Sequence, residues 1–260
     1  MDSSAYKLYH VDGFDSRQHL EHYLADKSYK AFTEDFLTFP MENLAKTFKM
    51  GNIKGEILID LSIGSMIHHL YSACEFFKHI IVLKVRDRCI LELKRWLDTR
   101  TGAFHWGHAT QLHVDIQGNR DQLQDKEEKM RLAIQHVMKC DLEKENMIDP
   151  MNVPPGDCII SAWLLDVISK DHDEYRSYLR KFSCLLRPGG CLILIGDLDA
   201  TYFRIQKDKL HVLRYDEDFA RKALCEAGFV INCCEIKERA STTDLIDYKA
   251  VIFIAACKEK

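Results

Sequence analysis

The sequence is short of glycine. Twelve occur in 260 residues, where average usage near 7% would supply about 18. Folds that cradle phosphates or nucleotides on bare backbone need glycine where the chain closes on its ligand, so the shortage bears on any nucleotide-like site. Massed basic charge is missing as well. Thirty-six Lys and Arg against 40 Asp and Glu give a net charge of −4, and the cations are dispersed, which removes the electrostatic case for nucleic acid. No CxxC pair exists among the ten cysteines. Most of them, Cys158, Cys191 and Cys257 included, sit in apolar runs, so small buried thiols of a reducing cytoplasm are expected rather than a disulfide scaffold or a metal site. No apolar run has the length of a membrane helix, and MDSSAYKLYH lacks the core of a signal peptide. A soluble cytoplasmic protein without a membrane or nucleic-acid partner is the expectation.

Residues 1–54 read as helical, with apolar residues at three and four spacing in SRQHLEHYLAD and AFTEDFLTFPMENLAKTF. Beyond Lys54-Gly55 the pattern changes to short apolar runs alternating with helical spacing. GEILIDLSIG (55–64), IIVLKV (80–85), GDCIISAWLL (156–165) and CLILIGDL (191–198) are strand candidates. MIHHLYSACEFF, CILELKRWLD, DKEEKMRLAIQHVMKC and HDEYRSYLRKFSC are helix candidates. FVINCCEI and AVIFIAACK, near the end, form an antiparallel edge pair. Such alternation predicts a mostly parallel sheet covered on both faces, so the chain divides into a cap (1–54) and an α/β core (55–260) within one structural domain. Ligands of open α/β sheets bind outside the carboxyl ends of the strands. That selects Asp60 to Met66, Lys84 to Cys89, Cys140-Asp141, Ser161 to Asp166 and Gly196-Asp197.

Several of these segments together carry a resemblance. LIDLSIGS with its following helix, EFFKHIIVLKVRDRCILELKRWL, KEEKMRLAIQHVMKCD, DCIISAWLLD, LLRPGGCLILIGDL and GFDSRQHLEHYL resemble the nicotinamide, indolethylamine and phenylethanolamine N-methyltransferase family over nearly the whole chain. The resemblance implies a Rossmann-like class I methyltransferase, with a seven-stranded, mostly parallel sheet, an antiparallel edge pair and an N-terminal helical cap. It implies S-adenosylmethionine as cofactor and a small amine or pyridine as methyl acceptor. Transfer to a neutral nitrogen depends on alignment and exclusion of water, so it requires no catalytic side chain.

The resemblance assigns cofactor contacts to Asp60, Gly64, Asp141, Leu142 and Tyr23. At other positions this chain departs from the family. Ser62 stands for the first motif glycine, with Ile63 beside it. His68 stands for a tyrosine, Lys84 for the aspartate that accepts from the ribose hydroxyls, and Cys89 for an asparagine. His19 and Leu24 replace cap tyrosines, and Ala162 is a further substituted position. In the substrate pocket Gly196 and Ala200 stand for an aspartate and a serine, and Phe203 for a tyrosine. An ammonium cannot accept from a diol. Losing that acceptor and one or two other contacts costs about 4 to 6 kcal/mol, roughly a thousandfold in affinity.

The residues alone leave some roles open. Asp60 reads as the motif acid or a helix cap, and Asp141 as a retained ligand contact or a turn cap. Lys84 with Arg86 and Arg88 reads as a solvated loop or an anion contact. His68 and His69 read as surface or packing residues, because neighbours on a helix cannot share a metal. Trp163 is expected to fill the pocket. Three functions follow: a methyltransferase-like protein with a degraded cofactor site, an active amine N-methyltransferase with a rebuilt pocket, or a binding module for a small molecule or protein using the vacated cleft.

Overall fold

The computed structural model describes residues 6–25, 30–118 and 123–259. Residues 1–5 and 26–29, inside the expected cap, lie outside them. The cap contains α1 (Ser16–Tyr23), α2 (Lys30–Thr33) and, after one π turn over Glu34–Thr38, α3 (Phe39–Lys49). Asp15 caps α1 by accepting from the Gln18 amide at 3.0 Å, the use of Asp where a chain poor in glycine needs a stop or start. Residues 6–15 are not helical as expected. Lys7 instead forms a β-bridge with Leu210.

After the cap come β1 (Gly55–Asp60), α4 (Leu70–Ala73), β2 (Phe77–Lys84), α5 (Asp87–Leu97), α6 (Gly107–Gln117), α7 (Leu123–Ala133), β3 (Ile134–Lys139) and β4 (Gly156–Ala162). Then follow α8 (Leu164–Ile168), α9 (His172–Cys184), β5 (Leu186–Leu198), the hairpin β6 (Tyr202–Ile205) and β7 (Asp208–His211), α10 (Glu217–Glu226), β8 (Phe229–Glu238) and β9 (Ala250–Lys258). The large sheet runs β3-β2-β1-β4-β5-β9-β8. Strands β1 to β5 are parallel, while β9 runs antiparallel to both β5 and β8. This is the expected Rossmann-like sheet with an antiparallel edge pair. Strand order reverses between β1 and β4, the topological switch point where such sheets bind ligands.

Three expectations fail locally. The helical reading of DKEEKMRLAIQHVMKC holds only to Ala133, because residues 134–139 turn directly into β3. On this outermost strand Gln135, His136 and Lys139 are exposed, and their polarity imitates a helix's outer face. The segment from Met66 is mostly turn, with a single helical turn at α4. Cys191 and Cys257, read as separate thiols, form a disulfide. The β5–β9 register sets them directly opposite one another, a cross-strand proximity that spacing in the sequence does not reveal. The other eight cysteines are free.

Candidate functional site

At the carboxyl end of β1 the chain does not leave the sheet. Leu61 donates to the Ile160 carbonyl at 2.8 Å and Ile63 to the Ala162 carbonyl at 2.9 Å, so the pairing with β4 continues past Asp60. Asp60 is fully buried. Lys84, at the end of the adjacent β2, donates to Asp60 Oδ2 at 3.0 Å and to the Ser62 carbonyl at 2.9 Å, with neither charged side chain reached by solvent. Ser62 Oγ donates to Asp60 Oδ1 at 2.6 Å and accepts from the Ala162 amide at 3.1 Å. His69 Nε2 lies 2.6 Å from the same carboxylate oxygen. A carboxylate only accepts, so that nitrogen is the donor.

Burial alone would raise the Asp60 carboxyl. The Lys84 ammonium, His69 and Ser62 more than reverse this and hold it below the usual carboxylate range. The residue types of a hydrolase triad are present here without its geometry. Ser62 and His69 Nε2 converge on one oxygen, and His69 Nε2 also lies 3.1 Å from Ser62 Oγ. That nitrogen carries the proton it donates to Asp60 and so cannot take one from the hydroxyl, while His69 Nδ1 has no partner among the described residues. The cluster is a satisfied internal ion pair.

Several single-sequence readings are therefore corrected. Lys84 is neither a solvated loop residue nor an anion contact, because the sheet interior encloses it. Asp60 caps no helix, being spent on Lys84, Ser62 and His69. His68 and His69 are both fully buried, which retains packing and removes the surface alternative. Burial, with His69 and His108 nearby, holds His68 well below the usual imidazole range. Arg88 is exposed, as a solvated residue should be, and Arg86 is partly buried.

The other expected positions fall into three places. Gly64 has φ of +58°, and a Cβ there would lie 2.8 Å from His19 Nδ1, so both the backbone and the cap demand glycine. The Gly64 amide donates to Tyr9 Oη at 3.0 Å. Cys89 is buried 3.7 Å from that hydroxyl, and burial raises its thiol. Tyr9, which sequence reasoning missed, thus tethers the start of the cap to the loop after β1. Asp141 is exposed and accepts from the Glu143 amide at 3.0 Å, a local turn contact. Leu142 beside it is buried.

Beneath the cap lies a cavity of about 40 Å³ lined by His19, Tyr23, Leu24, Phe36, Ile63, Met66, Trp163, Asp166, Val167, Asp197, Phe203, Val212 and Ile246. Trp163 fills space there as expected. It has a left-handed backbone (φ 55°), packs on Phe36 with ring centroids 5.5 Å apart, and donates from Nε1 to Asp197 Oδ1 at 3.0 Å. Tyr23 Oη donates to the Arg204 carbonyl at 2.7 Å and accepts from its amide at 3.1 Å. His19 is held down to about 3, first by burial and then by His22 and Lys84, so the ring is neutral. Asp166 accepts from Tyr215 Oη at 3.0 Å and from the Asp197 amide at 2.9 Å, and burial pushes it up to about 7.

At Gly196 a Cβ would fall on Tyr215 Oη and 2.8 Å from Asp166 Oδ2. The Tyr215–Asp166 pair occupies the space a side chain at 196 would use. Ala200 is buried and Phe203 walls the cavity. No cluster suited to a metal occurs among the described residues, and no helix there is long and apolar enough to cross a membrane.

Residues 4–259 match the sequence pattern of the NNMT/PNMT/TEMT family. Human nicotinamide N-methyltransferase is 32% identical over 249 residues, covering 96% of this chain and 94% of that protein. Human phenylethanolamine N-methyltransferase is 32% identical over 219 residues, covering 83% and 78%. Among solved structures, the N-methyltransferase NodS of Bradyrhizobium japonicum, in complex with S-adenosylhomocysteine, superposes with a TM-score of 0.54 over 95% of this chain and all of that one, at 11% identity. That similarity speaks for the fold, and the cofactor implied by the family resemblance is S-adenosylmethionine. The near-complete match of sequence pattern, the identity of the relatives and the order of the sheet agree: the chain belongs to the NNMT/PNMT/TEMT family.

Proposed function

We propose that this chain is a methyltransferase-like member of its family whose cofactor position has closed from within, leaving it catalytically impaired or silent. The observation that carries the reading is the buried Lys84–Asp60 ion pair, anchored to Ser62 and His69. The residues do not fit S-adenosylmethionine. Where the resemblance calls for a ribose acceptor there is a donor already satisfied by Asp60, and where it calls for glycine there is a serine built into the same cluster. The neighbouring cavity, about 40 Å³, holds roughly three waters at about 10 to 15 Å³ each and falls far below the roughly 300 to 1,000 Å³ of small-molecule pockets. In this reading residues 1–54 are a cap sealed over a core of 55–260. Methyl transfer to a small amine, the activity named for the relatives, would require the pair to separate and the cap to lift.

Restoring the family residues tests this. The double variant Lys84→Asp with Ser62→Gly trades an internal ion pair for two neighbouring carboxylates, so it should melt below wild type when alone. Added S-adenosylmethionine should raise its melting temperature while leaving that of wild type unmoved. A wild-type shift of several degrees sinks the closed-site reading, and a folded double variant that ignores the cofactor shows that the positions are misassigned.

A further inference from the structure

Three cysteines lie in one row across the large sheet. The β4–β5 register sets Cys158 opposite Cys191, and the β5–β9 register sets Cys191 opposite Cys257. Paired positions on neighbouring strands turn their side chains to the same face, so the three sulfurs share one side of the sheet. Cys191 and Cys257 are bonded to each other, and Cys158 is a free thiol. None of the three lines the cavity beneath the cap.

The row decides which pairs can bond. Neighbouring strands lie about 4.8 Å apart, so Cys158 and Cys191 fall within the span of about 4.4 to 6.8 Å between Cα atoms that a disulfide bridges. Cys158 and Cys257, with a strand between them, are about 9 to 10 Å apart and fall outside it. Cys191 is therefore the shared sulfur of the row. A thiolate displaces a disulfide sulfur along the line of the bond it breaks. The Cys191–Cys257 bond runs along the row, and Cys158 stands on its extension beyond Cys191, with Cys257 as the leaving group.

Solvent reaches only the far end of the row. Cys158 and Cys191 are buried, at 0% and 6% exposure, whereas Cys257 is partly exposed. Next to Cys257 stands Val230 of the edge strand β8, which is 51% exposed. A small reagent can thus approach Cys257 without opening the core.

We infer that this row is an S-thiolation site, in which Cys158 displaces Cys257 from Cys191 and the released Cys257 takes up a low-molecular-weight disulfide such as glutathione disulfide. Cys158 gives its proton to solvent, the Cys158–Cys191 bond forms and the Cys191–Cys257 bond breaks. The Cys257 thiolate then attacks glutathione disulfide, forming a mixed disulfide and releasing one glutathione thiolate, which takes up a proton. Two disulfides are consumed and two are formed, so no further oxidant or reductant is needed. The internal crosslink moves from β5–β9 to β4–β5, and the antiparallel edge pair loses its covalent tie. Burial first, and Asp157 second, raises the Cys158 thiol. Cys158 is therefore protonated at rest, Cys191–Cys257 is the resting bond, and the exchange is slow until Cys257 is captured.

The test incubates folded wild-type protein with excess glutathione disulfide, blocks the remaining thiols with N-ethylmaleimide at mildly acidic pH, and maps the bonds by mass spectrometry without reduction. Glutathione on Cys257 should accompany a Cys158–Cys191 crosslink. Cys158→Ala removes the attacking sulfur, so it should retain the Cys191–Cys257 bond and lower thiolation of Cys257 at least about tenfold. If that variant fails to fold, Cys257→Ser, at a partly exposed position, decides in its place: glutathione disulfide should oxidise its Cys158 and Cys191 to a crosslink, releasing two glutathione thiols. Three outcomes overturn the inference. Cys257 may be thiolated equally in Cys158→Ala. It may stay bare in wild type after about a day, beyond the seconds to hours of disulfide exchange. Or Cys158 and Cys191 may both remain free thiols in folded Cys257→Ser.

Discussion

Replacing Lys84 by methionine keeps most of the length of the side chain and deletes its charge. Asp60, with no exposed surface, would lose the Lys84 ammonium at the 3.0 Å contact and retain Ser62 and His69. Breaking one side of a buried pair costs about 3 to 5 kcal/mol because the remaining charge stays desolvated. The two remaining hydrogen bonds place this case near the lower figure. At about 2 to 4 °C per kcal/mol for a chain of this size, the melting temperature should fall by about 6 to 12 °C. Asp60→Asn alone should also destabilise, and the double variant should lose less than the two singles combined, since neither partner is then left as an isolated charge. The acid limb should move too. Asp60 is depressed in the native state, so its contribution is complete above the unfolded value near about 3.9 and is lost as pH falls through the native one. Without Lys84 the native value rises, and acid unfolding should begin at higher pH. A loss below about 1 kcal/mol with an unmoved acid limb would mean that Lys84 is solvated, refuting the reasoning.

Asp166 acts with the opposite sign. Raised to about 7 by burial from about 3.9 unfolded, it makes native protein hold more protons between those values, so its contribution declines as pH rises through that window, by up to about 4 kcal/mol. Urea midpoints against pH should show this decline, and Asp166→Asn should reduce it, leaving the share due to Asp197; an unchanged slope would count against the assignment. Gly64→Ala should cost about 1 to 3 kcal/mol through its positive φ and the contact with His19, and a neutral result in thermal unfolding would show that cap and loop are not pressed together. Alkylation of denatured but unreduced protein should modify eight cysteines and spare Cys191 and Cys257, whereas ten modified residues would mean that the cross-strand pair is reduced.

Strands β1, β2, β4, β5 and β9 announce themselves as apolar runs, because burial on both faces leaves little polar residue to confuse the period, and β8 reads as a strand too although it is an edge with Val230 and Ile236 exposed. Strand β3 hides, since an edge strand with one wet face imitates the helix before it. Substitution at Lys84 and Ser62 is visible in the sequence, but their mutual satisfaction through Asp60 is not, because it joins two strand ends 24 residues apart. Gly196 likewise reads as a missing aspartate, while only packing reveals Tyr215 and Asp166 in that space. Tyr9, Phe36 and Tyr215 carry no local signal, each being an aromatic residue in an ordinary amphipathic stretch. The carboxyl end of β5 directs attention to Asp197, although its bond from Trp163 Nε1 is a fact of tertiary structure alone.

In the closed-site proposal the internal Lys84–Asp60 pair stands in the place of the cofactor, and calorimetric titration of S-adenosylmethionine and S-adenosylhomocysteine into folded wild-type protein tests that proposal. No saturable heat should develop up to about 1 mM of either compound, and a dissociation constant in the micromolar range would contradict it.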